Sequence, residues 1–320
     1  MFHQTPLRTA ALVATIGALA LYAILGGYFP REIVTEIALL AILAVSLDFV
    51  AGFGGMVSLC HGAIFGIAAY TFAGMTVIAG YDAPTATVAA LLAAMLFGLV
   101  VGAIAANTSG IFFIMATLAF GQMAYVVVFE WKALGGDDGL SGIARFDLSS
   151  IGLDLGDSLQ FALFCLAVLV LVYCAAAFAL RSSFGRTLSG IHSNEGRMRA
   201  LGLTTWRHKA VAFSFSALLA GAAGILAAQH TMFVSPEMLV WTVSGEVLIV
   251  VILGGLGTLA GPLVGAALFI LLKHELGGYT EHWHLFIGLF LVVAVMAGGR
   301  GVYGQLEHML ERKARRPADA

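Results

Sequence analysis

Runs of apolar residues long enough to cross roughly 30 Å of hydrocarbon as helices lie near residues 9–29, 33–50, 60–80, 84–106, 110–130, 159–180, 209–229 and 283–299. Region 243–273 is also apolar, but GGLGTLAGP (254–262) breaks it with glycines and a proline, residues that interrupt helices. A comparable break falls in GFGGMVSLCHGAIFGIAAYT (52–71). There, glycines, Ser58, Cys60 and His61 stand where a plain span would carry leucine and valine. The pattern predicts helices throughout, with hinges at Gly54 and Gly55 and again at Gly254, Gly255 and Pro262.

Composition turns these runs into membrane segments. Hydrophobic residues fill 60% of 320 positions and charged residues 11%, with a mean hydropathy of +0.98, far from the balance of a soluble domain. The fold class is an all-α polytopic membrane protein. The start, MFHQTPLRTAALVATIGALALYAILGGYF, carries one arginine before a run too long for a signal-peptide core, and no small-residue cleavage site precedes Arg31, so residues 1–30 read as a retained first transmembrane helix. Cys60, Cys165 and Cys174 sit in apolar surroundings with neither a disulfide framework nor a CxxC spacing.

Charge sets the orientation, because basic connectors stay cytoplasmic. Connector 181–209 holds Arg181, Arg186, Arg197, Arg199, Arg207 and Lys209 against Glu195, and connector 130–158 holds Lys132 and Arg145 against Glu130, Asp137, Asp138, Asp147, Asp154 and Asp157. The first therefore reads as cytoplasmic and the second as periplasmic. The tail 301–320, with Arg312, Lys313, Arg315 and Arg316 after Arg300, also reads as a cytoplasmic basic tail. An even number of crossings must then separate connector 181–209 from the tail, so 243–273 divides into two short segments. The count becomes about ten membrane segments including interrupted helices, with both termini cytoplasmic and a core of 31–300. The hinges GGMVSLCHG (54–62) and GGLGTLAGP share Gly-Gly followed by a hydroxyl residue and leucine, and paired interrupted segments point to a transport site. On this reading 52–71 turns near the inner half of the membrane and packs close to 254–262.

Candidate chemistry is sparse. The lysines are followed by Ala133, Ala210, His274 and Ala314, so no GxxxxGK[ST] nucleotide loop exists, and no cofactor or nucleic acid is expected. His274, His282 and His284 on an outer connector offer a faint HxH metal pattern, read here as a solvated loop. Ser58, Cys60 and His61 could be imagined as an intramembrane nucleophile with its base, but no orienting acid accompanies them. Ionisable groups at membrane depth carry more weight, since each costs roughly 2.5–3.5 kcal/mol at a helix centre. The candidate substrate path is Asp48, Ser58, His61, Thr117, Gln122, Glu246 and Thr258. Segment 181–209 can place Ile191, Glu195, Met198 and Leu201 along neighbouring turns of a short amphipathic helix, suited to a partner's groove or to anionic lipid.

At this point the residues resemble the LivM-type permease subunits of ABC importers for branched-chain amino acids, over roughly 35–300. GMVSLCHGAIFGIAAYT, IFFIMATLAFGQMAYVVVFEWKALGGDDGLSGI, FGRTLSGIHSNEGRMRALGL and SGEVLIVVILGGLGTLAGPLVGAAL are each similar to a block of that family. The resemblance implies a bacterial inner-membrane permease that pairs with a second permease subunit, two cytoplasmic ATP-binding subunits and a periplasmic substrate-binding protein. It assigns ATPase coupling to Arg186, Glu195, Arg199 and Gly202. Cys60, Met56, Asp48, His192 and Gly196 depart from the family's usual Gly, Gln, Asn, Arg and Ala. Ser58-Leu59-Cys60 is similar to the urea-importer permeases, whereas His61-Gly62 and the Gly-Asp-Asp-Gly stretch (136–139) lean toward the amino-acid branch. The function implied is translocation of branched-chain or related small amino acids by a chain that is not itself an enzyme. The alternatives are a permease for urea or short amides, a self-sufficient secondary transporter, and a membrane enzyme.

Overall fold

The computed structural model describes residues 6–147 and 154–279, together with 285, 286, 288, 289, 292 and 301. The expected span 283–299 and tail 301–320 lie almost wholly outside these residues, as do His282 and His284. The described chain is helical nearly throughout: α1 (Pro6–Leu25), α2 (Tyr28–Ala51), α3 (His61–Ala73), α4 (Ala83–Ala105), α5 (Ile111–Glu130), α6 (Ser158–Arg181), α7 (Ser183–Ser193), α8 (Glu195–Ala200), α9 (Thr205–Thr231), α10 (Trp241–Gly254) and α11 (Gly261–Tyr279). A π-helical turn, Gly74–Ile78, prolongs α3. Among the described residues, 6 helical stretches are long and apolar enough to cross a membrane: Tyr28–Ala51, His61–Ile78, Ala83–Ala105, Ile111–Glu130, Ser158–Arg181 and Thr205–Thr231. The chain is a polytopic α-helical membrane protein.

Side-chain caps fix several helix starts. Asp82 accepts the Thr85 N–H ahead of α4, Asp157 accepts the Leu159 N–H ahead of α6, and Asn194 accepts the Arg197 N–H at 2.9 Å ahead of α8, each satisfying a donor that a helix start leaves open. Packing does the rest. α4 turns Val88, Leu92, Leu96, Val100 and Ile104 outward and buries Ala86, Ala90, Ala94 and Gly98. A side chain at Gly98 would collide with the Ala217 methyl of α9. Small residues at this spacing let two backbones approach where lipid offers no hydrophobic drive between helices. α2, buried along most of its length, is enclosed by α6, α9, α10 and α11, while α3 packs against both α4 and α9, which also touch each other directly.

Contacts between distant connectors sort the ends of the bundle. At one end the Arg31 guanidinium lies 3.3 Å from Ser158 Oγ and 3.8 Å from the Asp157 carboxylate. There too a two-residue antiparallel ladder, β1 (Leu140–Ser141) with β2 (Phe233–Val234), pairs Leu140 with Val234. This ladder end gathers the start of α2, the connector after α5 and the residues after α9. At the opposite, basic end Lys209 Nζ donates to the Ala106 carbonyl at 3.3 Å, and the His192 ring lies against Gly55.

Several expectations need correction. Segment 181–209 forms two helices, α7 and α8, because the Asn194 cap starts a new one. His274 belongs to α11, not to a connector, and its Nε2 is 3.2 Å from Glu36 Oε2. Region 243–273 is indeed two helices, α10 and α11, separated at 255–260. The interruption absent from the sequence reading is 232–240. There the chain turns inward, and Leu239 packs directly on Gly66 in the middle of α3.

Candidate functional site

The site is built where α2, α3, α9 and α10 come level. Ser216 lies roughly 16 Å along α9 from the Thr205 end and roughly 22 Å from the other, at 1.5 Å per residue. Its hydroxyl donates to the Ser46 carbonyl of α2 at 2.6 Å. With that single proton spent, the oxygen accepts from His61 Nε2–H at 2.9 Å. His61 Nδ1 is then the lone-pair nitrogen and accepts the Ser58 hydroxyl at 3.2 Å, while the Ser58 oxygen also receives the Cys60 N–H at 3.2 Å. The relay ties α3 to α2 and α9, and all its side chains are fully buried. α3 therefore starts at mid-depth, and the non-helical stretch 56–60 climbs to it from the basic end.

α10 starts at the same level. Ser244 Oγ accepts the Gly62 N–H at 2.8 Å, and α10 runs from there toward the basic end while α3 runs toward the ladder end. Two helix N-termini thus meet at mid-depth. The counterpart of the climbing stretch 56–60 is the descending stretch 232–240, not 254–262. The hinge at 254–262 instead stays at the far end of α10, where it meets the end of α2. Asp48 Oδ1 accepts the Gly257 N–H at 2.6 Å and Oδ2 accepts the Leu259 N–H at 3.0 Å. A side chain at Gly52 would collide with Gly257. The two glycine-rich hinges are in contact, as the sequence pattern suggested.

The sequence-derived path residues divide into two groups. Asp48 holds the 255–260 turn. Ser58 and His61 form the relay. Thr117 accepts the Leu59 N–H at 3.2 Å and donates to Ile114, and Thr258 staples its own turn, donating to Gly255 and accepting from Gly261. All five spend their polar atoms on keeping the interruptions in place. Gln122 and Glu246 do not. The Gln122 amide nitrogen is buried without a hydrogen-bond partner, and Glu246, half-buried, has no ion-pair or hydrogen-bond partner among the described residues. Gly254 packs against Gly261, and Pro262 opens α11 beside it.

At the basic end, the Glu195 carboxylate turns inward. It is 2.6 Å from Arg199, 2.7 Å from Lys209 Nζ and 2.9 Å from Thr205 Oγ1. Burial alone would raise its pKa, but the hydrogen bonds from Lys209, Arg199 and Thr205 outweigh it and hold the carboxyl below its usual range. Glu195 thus braces α8 against α9. Gly202 closes α8 at φ +83°, Arg186 bonds the Arg181 carbonyl, and Arg197 and Leu201 point outward, Leu201 at 71% exposure. A cavity of about 250 Å³ lies between this brace and the climbing stretch, lined by Gly54, Gly55, Thr108, Asn194, Glu195 and Lys209 among others.

Comparison with known proteins gives a consistent answer. The family model for the branched-chain amino acid transport system permease component matches residues 29–296. The chain is 27% identical to the high-affinity branched-chain amino acid transport system permease protein LivM of Salmonella typhimurium, over 88% of this chain and 72% of that one. It is 28% identical to LivM of Escherichia coli K12 over the same shares. To the autoinducer 2 import system permease protein LsrC of E. coli it is 29% identical, over 80% of this chain and 73% of the relative. No solved structure matches.

Proposed function

This chain belongs to the family of branched-chain amino acid transport system permease components, and from that membership we propose that it is the transmembrane half of an ABC importer for branched-chain or related small amino acids. The observation that carries the reading is the family match across 29–296, which takes in the interruptions, the brace and the basic connector together. ATP is bound and hydrolysed by two separate cytoplasmic subunits, a second permease completes the path, and a periplasmic binding protein delivers the substrate. The chain sits in the bacterial inner membrane.

The basic end faces the cytoplasm. Arg181, Arg186, Arg197, Arg199, Arg207 and Lys209 gather there, which favours this orientation. With a last span at 283–299 the chain crosses about ten times and both termini are cytoplasmic. The exposed face of α8, with Arg197 and Leu201, docks in a groove of the ATPase, and Glu195, Arg199 and Gly202 hold that face in shape. The path runs along α5 and α10, where this chain meets the second permease. The test is reconstitution of the chain with its partner subunits in liposomes. ATPase activity stimulated by loaded binding protein, together with uptake of its ligand, is the expected result. Uptake by this chain alone, driven by an ion gradient, would overturn the reading. A screen of leucine, isoleucine, valine and urea against the binding protein separates the amino-acid reading from a urea permease.

A further inference from the structure

Two polar side chains at mid-depth, Glu246 and the amide nitrogen of Gln122, find no hydrogen-bond or ion-pair partner among the described residues. Ser244, two residues before Glu246, is bonded to the Gly62 N–H at 2.8 Å. Gly121, next to Gln122, lies against Leu59 and Cys60. Both groups therefore stand level with residues 59–62, on α10 and α5, two helices that touch each other. Their characters are complementary: Glu246 is an acceptor carrying negative charge, and the Gln122 amide nitrogen is an orphaned donor. A carboxylate without a partner does not persist against lipid, so Glu246 faces water or protein. The outward faces of α1 and α4 offer the contrast. They carry Val13, Leu21, Ile24, Val88, Leu92 and Leu96, as lipid demands.

Resting on the permease reading above, we propose that Glu246 and Gln122 form a transit subsite for a zwitterionic amino acid, the Glu246 carboxylate taking the ammonium group and the Gln122 amide donating to the carboxylate. A transit site works best with few contacts, because the substrate must leave it. One charge and one amide give orientation, and the apolar walls of α5 and α10 accommodate a branched side chain. Urea, which carries no charge, can offer Glu246 hydrogen bonds but no ion pair, and a simple anion is repelled by it.

The experiment uses the full chain assembled with its second permease and ATPase subunits in liposomes, with the cognate binding protein and leucine. For Glu246→Gln, leucine uptake is expected to fall at least tenfold while ATPase activity stimulated by loaded binding protein stays within twofold of the wild type. Gln122→Leu should lower uptake by a smaller factor with the same ATPase. Uptake by Glu246→Gln within twofold of the wild type overturns the proposal. So does a joint loss of uptake and stimulated ATPase in an assembled complex, which would make Glu246 a packing residue. Should Glu246→Gln not assemble, Glu246→Asp decides: a severalfold higher leucine concentration for half-maximal uptake at unchanged stimulated ATPase supports the subsite, and wild-type kinetics reject it. A wild-type complex without stimulated uptake would refute the permease reading itself, a failure distinct from any of these.

Discussion

Asp48 is the residue whose role changes most between sequence and structure. A carboxylate inside an apolar run suggests a ligand for cargo, yet both its oxygens receive backbone N–H groups of the 255–260 turn. Nothing in a sequence marks which backbone donors a turn will leave open, so this role was not legible. Leaving a buried donor without a partner costs about 1–3 kcal/mol. Asp48→Ala should therefore destabilise the purified chain by roughly 2–6 kcal/mol, as two such donors are orphaned. Asp48→Asn, which keeps one accepting oxygen, should lose less, and thermal unfolding in detergent measures both. Equal stability of Asp48→Ala and the wild type would mean that water replaces the carboxylate. Ser58 and His61 were legible as polar groups in the bundle interior, but their partner Ser216 was not, because it lies 155 positions from His61 along the chain.

Among the elements, the long spans were legible from length and hydropathy alone, since a helix needs about twenty apolar residues to cross. The descent at 232–240 was not. Its Ser235-Pro236-Glu237 stretch looks like an ordinary connector, and only packing of Leu239 on Gly66 reveals its depth. The split between α7 and α8 had a readable signal, Asn194 followed by acidic Glu195 at a helix start, but the spacing of Ile191, Met198 and Leu201 fits one continuous helix equally well. α8 also carries a pH dependence. The folded Glu195 carboxyl is held below its usual range, so the brace contributes stability above the unfolded carboxylate value and loses it as pH falls through the folded one. Amide exchange over 196–203, corrected for intrinsic rate, should quicken below about pH 4. In Glu195→Gln it should be faster at neutral pH and no longer respond to acid.

For the whole molecule, family and membrane character were both accessible early, because block similarities and apolar runs are properties of the chain itself. What required three dimensions was the sorting of polar residues into those that hold the bundle and those left over. The docking surface proposed on α8 follows the same logic. Leu201→Glu places a charge on the exposed apolar tip of α8, and the assembled complex should lose most of its binding-protein-stimulated ATPase while the chain's own thermal stability changes little. Unchanged stimulation would place the ATPase contact elsewhere on the basic end.

Gly55 adopts φ +68° and has the His192 ring resting on its backbone, with no side chain between the two to absorb displacement. Residues 56–60 then lead, through a bend at Leu59, to His61, where the polar relay begins. On the permease reading proposed above, displacement of α7 passes through the His192–Gly55 contact to this short connector and so to the centre of the membrane. Gly55→Ala, which cannot keep that conformation without strain, should act as a slipped clutch: ATP turnover persists under stimulation, but uptake per ATP hydrolysed drops, measurable as the ratio of the two rates in one liposome preparation.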